Sequence, residues 1–213
     1  MNFKVFFMAM LKASLTTLNI FFLTIILSLP LGLIICFGRM SKYKVVNMPT
    51  RLYILLMRGT PLMLQLMFVF YGIKPVFGFQ IPRFACAILA FTLNYAAYFA
   101  EIYRGGIESI PIGQYEAAKV LGFSKKQTFI KIILPQLIKR IVPPMGNEFI
   151  TLIKDTALAQ TIVVVELMRV TQKYANTYVS AVPFVVAGVF YLVMNGILTK
   201  CFSILEKRLA YYR

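Results

Sequence analysis

The chain has 213 residues, 60% of them hydrophobic and 14% charged, and a formal net charge of +16. Soluble domains average about 45–50% apolar and ~25% charged residues, so an ordinary globular protein is excluded in favour of one membrane-embedded domain, residues 1–213. Nucleic acid is excluded as the reason for the basic excess, because the charges fall between apolar blocks, where Lys and Arg set membrane orientation.

Residues 1–10 read as an amphipathic segment along the membrane surface. The first span is predicted at 11–37, with Pro30 and Gly32 as kink positions and no convincing signal-peptide cleavage site after it. It lacks the alternation of a barrel strand, so the spans are helices. Pro49-Thr50 looks like the start of a second span, 51–73, which contains Arg58-Gly59-Thr60-Pro61. A third follows at 83–104, then a long polar interval of about 105–144. The fourth span is predicted at 145–170, interrupted by Lys154-Asp155-Thr156, and the fifth at 179–204. Each block is about twenty residues or longer, enough to cross roughly 30 Å of hydrocarbon. The prediction is an all-α membrane protein of five transmembrane helices. Cys36, Cys86 and Cys201 lie in or at the ends of apolar segments and read as small buried hydrophobes, with no disulfide framework.

Charge then sets the orientation. Arg39, Lys42, Lys44 and Arg51 follow the first span, and Arg104, Lys119, Lys125, Lys126, Lys131, Lys139 and Arg140 follow the third. Lys200, Lys207, Arg208 and Arg213 lie at the C-terminal end. Together these are most of the 23 Lys and Arg residues. The opposite side receives Lys4, Lys12, Lys74, Arg83 and Lys173. The expectation is N-terminus out, C-terminus in, with the polar interval in the cytoplasm.

Polar residues inside spans mark a pathway. Counting from the membrane edges places Thr60, Asn94 and Asp155 each about 15 Å deep, near the midplane. Thr60-Pro61 has the form of an N-cap followed by proline at the first helical position, so the second span either breaks there and offers backbone N–H groups to an anion, or simply kinks. Arg58 supplies positive charge there or snorkels to the cytoplasmic edge. Glu148, Thr151 and Asp155 share one helical face, and two carboxylates there suit a substrate ammonium group. Asn94, Tyr98 and Glu101 form a similar stripe, in which Glu101 is open to either a substrate role or a pairing with Arg104. Glu166 and Arg169 read as an interfacial ion pair.

Within the polar interval, EAAKVLGFSKKQTFIKIILP (116–135) organises the chain. A Glu-Ala-Ala start, Gly122, a basic amphipathic middle and a stop at Leu134-Pro135 predict two short helices joined at Gly122. The spacing of Glu116, Ala117, Ala118, Gly122, Ile132, Leu134 and Pro135 resembles the EAA motif of ABC-importer permeases. The resemblance narrows to polar amino-acid permeases through RGTPLMLQLMFVFYG (58–72), NYAAYFAEIYRGGIESIPIGQYEAAKVLG (94–122) and IILPQLIKRIVPPMGNEFITLIKDTALAQTI (132–162). Ala157 and Gln160 depart from the small hydroxyl residues usual in that family.

That resemblance implies a type I ABC importer permease fold whose cytoplasmic coupling helices sit in a groove of an ATP-binding subunit dimer. It implies a second permease subunit, identical or different, and a solute-binding protein, in a bacterial cytoplasmic membrane. In arginine-type members the substrate lies among positions matching Thr60, Glu148 and Asp155; with the polar stripes above, the candidate substrate residues are Thr60, Pro61, Asn94, Tyr98, Glu148, Thr151 and Asp155. A cationic amino acid is slightly preferred, with glutamine and cystine as alternatives. No phosphate-binding GxxxxGK[ST] stretch is present, so ATP is expected on the partner and no cofactor or metal on this chain. Rival readings are an intramembrane enzyme, for which the absence of histidine leaves few bases, and a passive channel, which would not need a docking hairpin.

Overall fold

The computed structural model describes residues 3–210, and every element among them is helical. Helix α1 (Phe3–Arg39) is a single rod of 37 residues that continues through Pro30. The expected surface segment is therefore not separate; Phe6 and Met10, fully buried against Leu167 and Ala187, draw it into the helix.

The second predicted span is two helices, α2 (Lys44–Gly59) and α3 (Leu62–Phe77), meeting at 110°. Helix α4 (Arg83–Glu108) is the centre of the molecule. Its Ala90, Ala96, Ala97 and Ala100 are buried, and small residues let helices approach closely in a membrane. The α1–α4 interface is the most extensive in the fold. A Cβ added at Gly32 would lie 2.9 Å from the Phe99 Cβ and 3.0 Å from the Ala96 carbonyl oxygen, so glycine is what permits the approach.

The polar interval folds as α5 (Ile112–Val120), a short helix α6 (Lys125–Gln127), and a π-helical stretch Thr128–Ile133 that leads directly into α7 (Leu134–Asp155). The expected stop at Leu134-Pro135 is thus absent. Pro135 sits in the first turn of α7, where a missing N–H costs little, and the wider π turn before it accommodates the change. The fourth predicted span is also not one helix. Helix α7 begins at Leu134 and ends at Asp155, a 3-10 stretch covers Thr156–Ile162, and a separate α8 (Leu167–Tyr178) follows. The final helix is α9 (Val182–Leu209).

Glu166 does not pair with the Arg169 side chain. It is buried and caps α8, accepting from the backbone N–H groups of Met168 at 2.8 Å and Arg169 at 2.6 Å. Helices α1, α4 and α9 are each long and apolar enough to cross a membrane, and the bent α2–α3 pair makes a fourth candidate. Helix α7 fails that test of composition because Lys139, Arg140, Glu148, Lys154 and Asp155 lie along it. Cys36 and Cys86 are buried free thiols as expected, whereas Cys201 is exposed on α9.

Candidate functional site

The site is built around the break between α2 and α3. Pro61 forces the preceding residue out of the helical region, and Thr60 is extended at φ −121°, ψ 149°. The break therefore falls where the sequence puts it, but Thr60 is not the cap. Pro61 occupies the position before Leu62, and the Thr60 hydroxyl donates to the Leu56 carbonyl at 2.7 Å.

A break exposes carbonyls at the end of one helix and N–H groups at the start of the next. Two side-chain amides serve the first set. The Met57 carbonyl accepts from Asn94 Nδ2 at 2.9 Å and from Gln65 Nε2 at 3.0 Å. Gln65 Nε2 also reaches the Thr60 carbonyl and hydroxyl, and its Oε1 accepts from Asn94 at 2.9 Å. Asn94 is 4% exposed, so it is a buried brace. Of the leading N–H groups of α3, those of Leu64 and Gln65 donate to the Pro61 carbonyl at 3.0 and 3.3 Å, while those of Leu62 and Met63 have no acceptor within their own helix.

Leu62 opens onto a cavity of about 400 Å³ whose walls include Thr60, Pro61, Asn94, Tyr98, Glu148, Thr151 and Asp155. All seven residues predicted for a substrate site thus come together. Tyr95 and Leu158 complete the wall. The depth count that selected Asp155 assumed a span starting at Met145; Asp155 is instead the last residue of α7, brought level with α4 by the Tyr95 hydroxyl, which donates to its Oδ2 at 2.8 Å. The α3 N-terminus and the Glu148 and Asp155 carboxylates thus line the same space. An anionic group is favoured at the first and a cationic group at the second.

Below Tyr98, Glu101 gathers three guanidinium groups. Arg104 donates to it from Nε at 3.1 Å and Nη2 at 2.6 Å, Arg39 approaches to 3.6 Å and Arg58 to 3.9 Å. Arg58 also lies over the Tyr98 ring, 5.1 Å from its centre. Sequence reading foresaw only the Arg104 pairing; Arg39 comes from a helix some sixty residues away in the chain, which no local pattern reveals.

The 116–135 stretch is a second feature. Helix α5 ends in a Schellman arrangement: Phe123 N–H donates to the Ala118 carbonyl at 3.0 Å and Gly122 N–H to that of Lys119 at 3.1 Å. Gly122 has φ +77°, the left-handed conformation this motif needs. Ser124 and Gln127 then form a reciprocal capping box. Glu116 and Ala117 are exposed, Ala118 is buried, and Ile132 and Leu134 pack beside Ile133 and Leu137. Ile112, Val120 and Leu121, at the two ends of α5, are more than two-thirds exposed apolar side chains on a polar hairpin.

Residues 28–211 match the family described as binding-protein-dependent transport system inner membrane component. The chain is 37% identical to the octopine transport system permease protein OccM of Rhizobium radiobacter, over 85% of this chain and 79% of that one. It is 39% identical to the arginine transport system permease protein ArtQ of Bacillus subtilis, over 91% and 89%. Among solved structures, an amino acid ABC transporter crystallised with histidines superposes with a TM-score of 0.86 at 33% identity, covering 94% of each chain.

Proposed function

From the premise that the chain belongs to the binding-protein-dependent transport system inner membrane components, as the permease subunit of an amino-acid ABC transporter, we propose that it carries a cationic amino acid through the cavity at the α2–α3 break. The observation that carries this reading is that a helix N-terminus and two carboxylates line one cavity. The α-carboxylate of the substrate would lie against the leading N–H groups of α3, with Thr60 beside them, and its cationic groups against Glu148 and Asp155. Those two residues are seven apart, about 10.5 Å along a straight helix. That separation suits an α-ammonium and a distal cation on one long amino acid. The arginine permease among its relatives and the histidine-containing structure support the same choice, while the octopine permease leaves the side-chain end open.

The five-span topology with N-terminus out and C-terminus in belongs to this proposal, with α7 and the 3-10 stretch after it as the fourth crossing. So does a bacterial cytoplasmic membrane location. Helix α5 and the turn at Gly122 would dock on the ATP-binding subunit through Glu116 and the exposed Val120 and Leu121. Hydrolysis there would tilt α5 and, through α4, rearrange the cavity. A second permease subunit and a solute-binding protein complete the transporter.

Uptake by the reconstituted transporter, dependent on the binding protein and competed by a panel of amino acids, tests the substrate. Arginine, lysine or histidine should compete best. Failure of all three to compete, with glutamine or cystine effective, would replace the cationic assignment and leave the permease class standing.

A further inference from the structure

Two cavities lie end to end along one face of α4 and share no lining residue. The substrate cavity ends at Thr60 and Tyr98. The second, about 460 Å³, is walled by Arg39, Arg51, Arg58, Gly59 and Glu101, with Ile54 and Leu55 on its apolar side. Between the two stand the Gly59–Thr60 peptide and one side-chain pair, the Arg58 guanidinium over the Tyr98 ring.

The members of the Glu101 cluster are not equally held. Arg104 makes the shortest contacts, and Arg39 is 21% exposed at the end of α1. Arg58 makes the longest contact, 3.9 Å, and is 43% exposed. It is also the residue next to the break, where a Cβ added at Gly59 would meet nothing within 4 Å. A partly exposed ion pair and a cation–ring contact are individually weak. The side chain that separates the cavities is thus the one most free to leave. Tyr98 and Glu101, which hold it, belong to a helix that runs to Glu108, four residues before α5 begins.

We propose that Arg58 is a movable inner gate: seated on Tyr98 and Glu101 it closes the substrate cavity from the arginine-lined one, and lifting off joins the two. The proposal rests on the permease reading above, which requires the substrate cavity to open toward the cytoplasm once per cycle. Glu101 is a positioning residue in it, acting on the pathway through Arg58. Displacement of α4 by the coupling hairpin would draw Tyr98 and Glu101 away together, releasing both contacts at once.

The test is access to Thr60. Inside-out vesicles carry the permease with its ATP-binding subunit, held in the ATP-bound state by a non-hydrolysable ATP analogue, and with Cys201→Ser to remove the exposed native thiol. Thr60→Cys reports the upper cavity and Leu55→Cys the lower, each against a membrane-impermeant maleimide. Leu55→Cys should react quickly in every background. Thr60→Cys should react slowly with the gate intact and about tenfold faster with Glu101→Gln or Tyr98→Leu, as expected when a minor open state of a few per cent becomes common. Arg104→Gln, which leaves the Arg58 contacts in place, should change the rate little.

Equal rates at the two cysteines with the gate intact would overturn the proposal. So would an Arg104→Gln effect as large as that of Glu101→Gln, which would make the cluster merely structural. Should Glu101→Gln fail to assemble, Tyr98→Leu carries the same comparison. Binding-protein-stimulated ATP hydrolysis in the same vesicles checks the permease reading separately. Labelling of Leu55→Cys from the opposite face alone would overturn an inner gate.

Discussion

Tyr95→Phe is the sharpest perturbation of the cavity proposed to hold the substrate, because it removes one hydroxyl and leaves the packing intact. The ring is 2% exposed and keeps its contact with Phe99 at 6.1 Å between centres. The lost interaction is the 2.8 Å hydrogen bond to Asp155. Hydrogen bonds to charged groups contribute about 1.5–3 kcal/mol, and a carboxylate in an open cavity belongs at the lower end. At about 1.5 kcal/mol the KM for uptake rises roughly tenfold. The assay is the concentration dependence of binding-protein-driven uptake in vesicles holding the complete transporter. If Tyr95 works through Asp155, adding Tyr95→Phe to Asp155→Ala changes little, within about 0.5 kcal/mol. An unchanged KM in the single variant, or fully additive costs in the double, would refute the link.

Three further outcomes are expected. Gly32→Ala forces α1 off α4 and should cost about 1–3 kcal/mol, read as a lower melting temperature of the purified protein; Gly188→Ala, whose added Cβ meets nothing within 4 Å, should not. Gly122→Ala strains a residue at φ +77° by about 1 kcal/mol, while Glu116→Lys reverses a charge on α5; both should weaken copurification with the ATP-binding subunit, and membrane insertion should be retained. Asn94→Ala deprives the Met57 carbonyl and Gln65 of a buried donor, a loss of about 1–3 kcal/mol that should lower thermal stability and uptake together.

Much of the site was legible because it rests on local chemistry. Gly59, Thr60 and Pro61 in succession mark a break that a lone proline such as Pro30 does not make, and Glu148, Thr151 and Asp155 share a face by helical period alone. Gly122 marked its turn for the same reason. What escaped depends on distance in the chain. Tyr95 sits beside Asn94 but off the 94–98–101 stripe, so it reads as core until Asp155 arrives from α7. Gln65 reads as one polar residue in an apolar run, and only the broken geometry shows the carbonyls it serves. The continuous passage from α6 into α7 was hidden because Pro135 signals a stop unless a π turn precedes it. The separate identity of α8 was hidden because Val163–Val165 looks like an uninterrupted apolar run, although Val163 is left-handed at φ 63°.

The length of α1 has a consequence for the lipid around it. Thirty-seven residues at 1.5 Å each make a rod of about 56 Å, against roughly 30 Å of hydrocarbon and tilts rarely above about 40°. Even steeply inclined, it exceeds the oil by some ten residues, about the length of the stretch 3–12. Phe6 and Met10 in that stretch are sheltered by α8 and α9 instead of by acyl chains. One face of this end is thus covered by protein, while Phe3, Phe7, Met8 and Leu11 on its other faces are exposed and suit acyl chains. Transport should tolerate membranes a few carbons thinner or thicker, since the waterline can slide along this end without unpacking it.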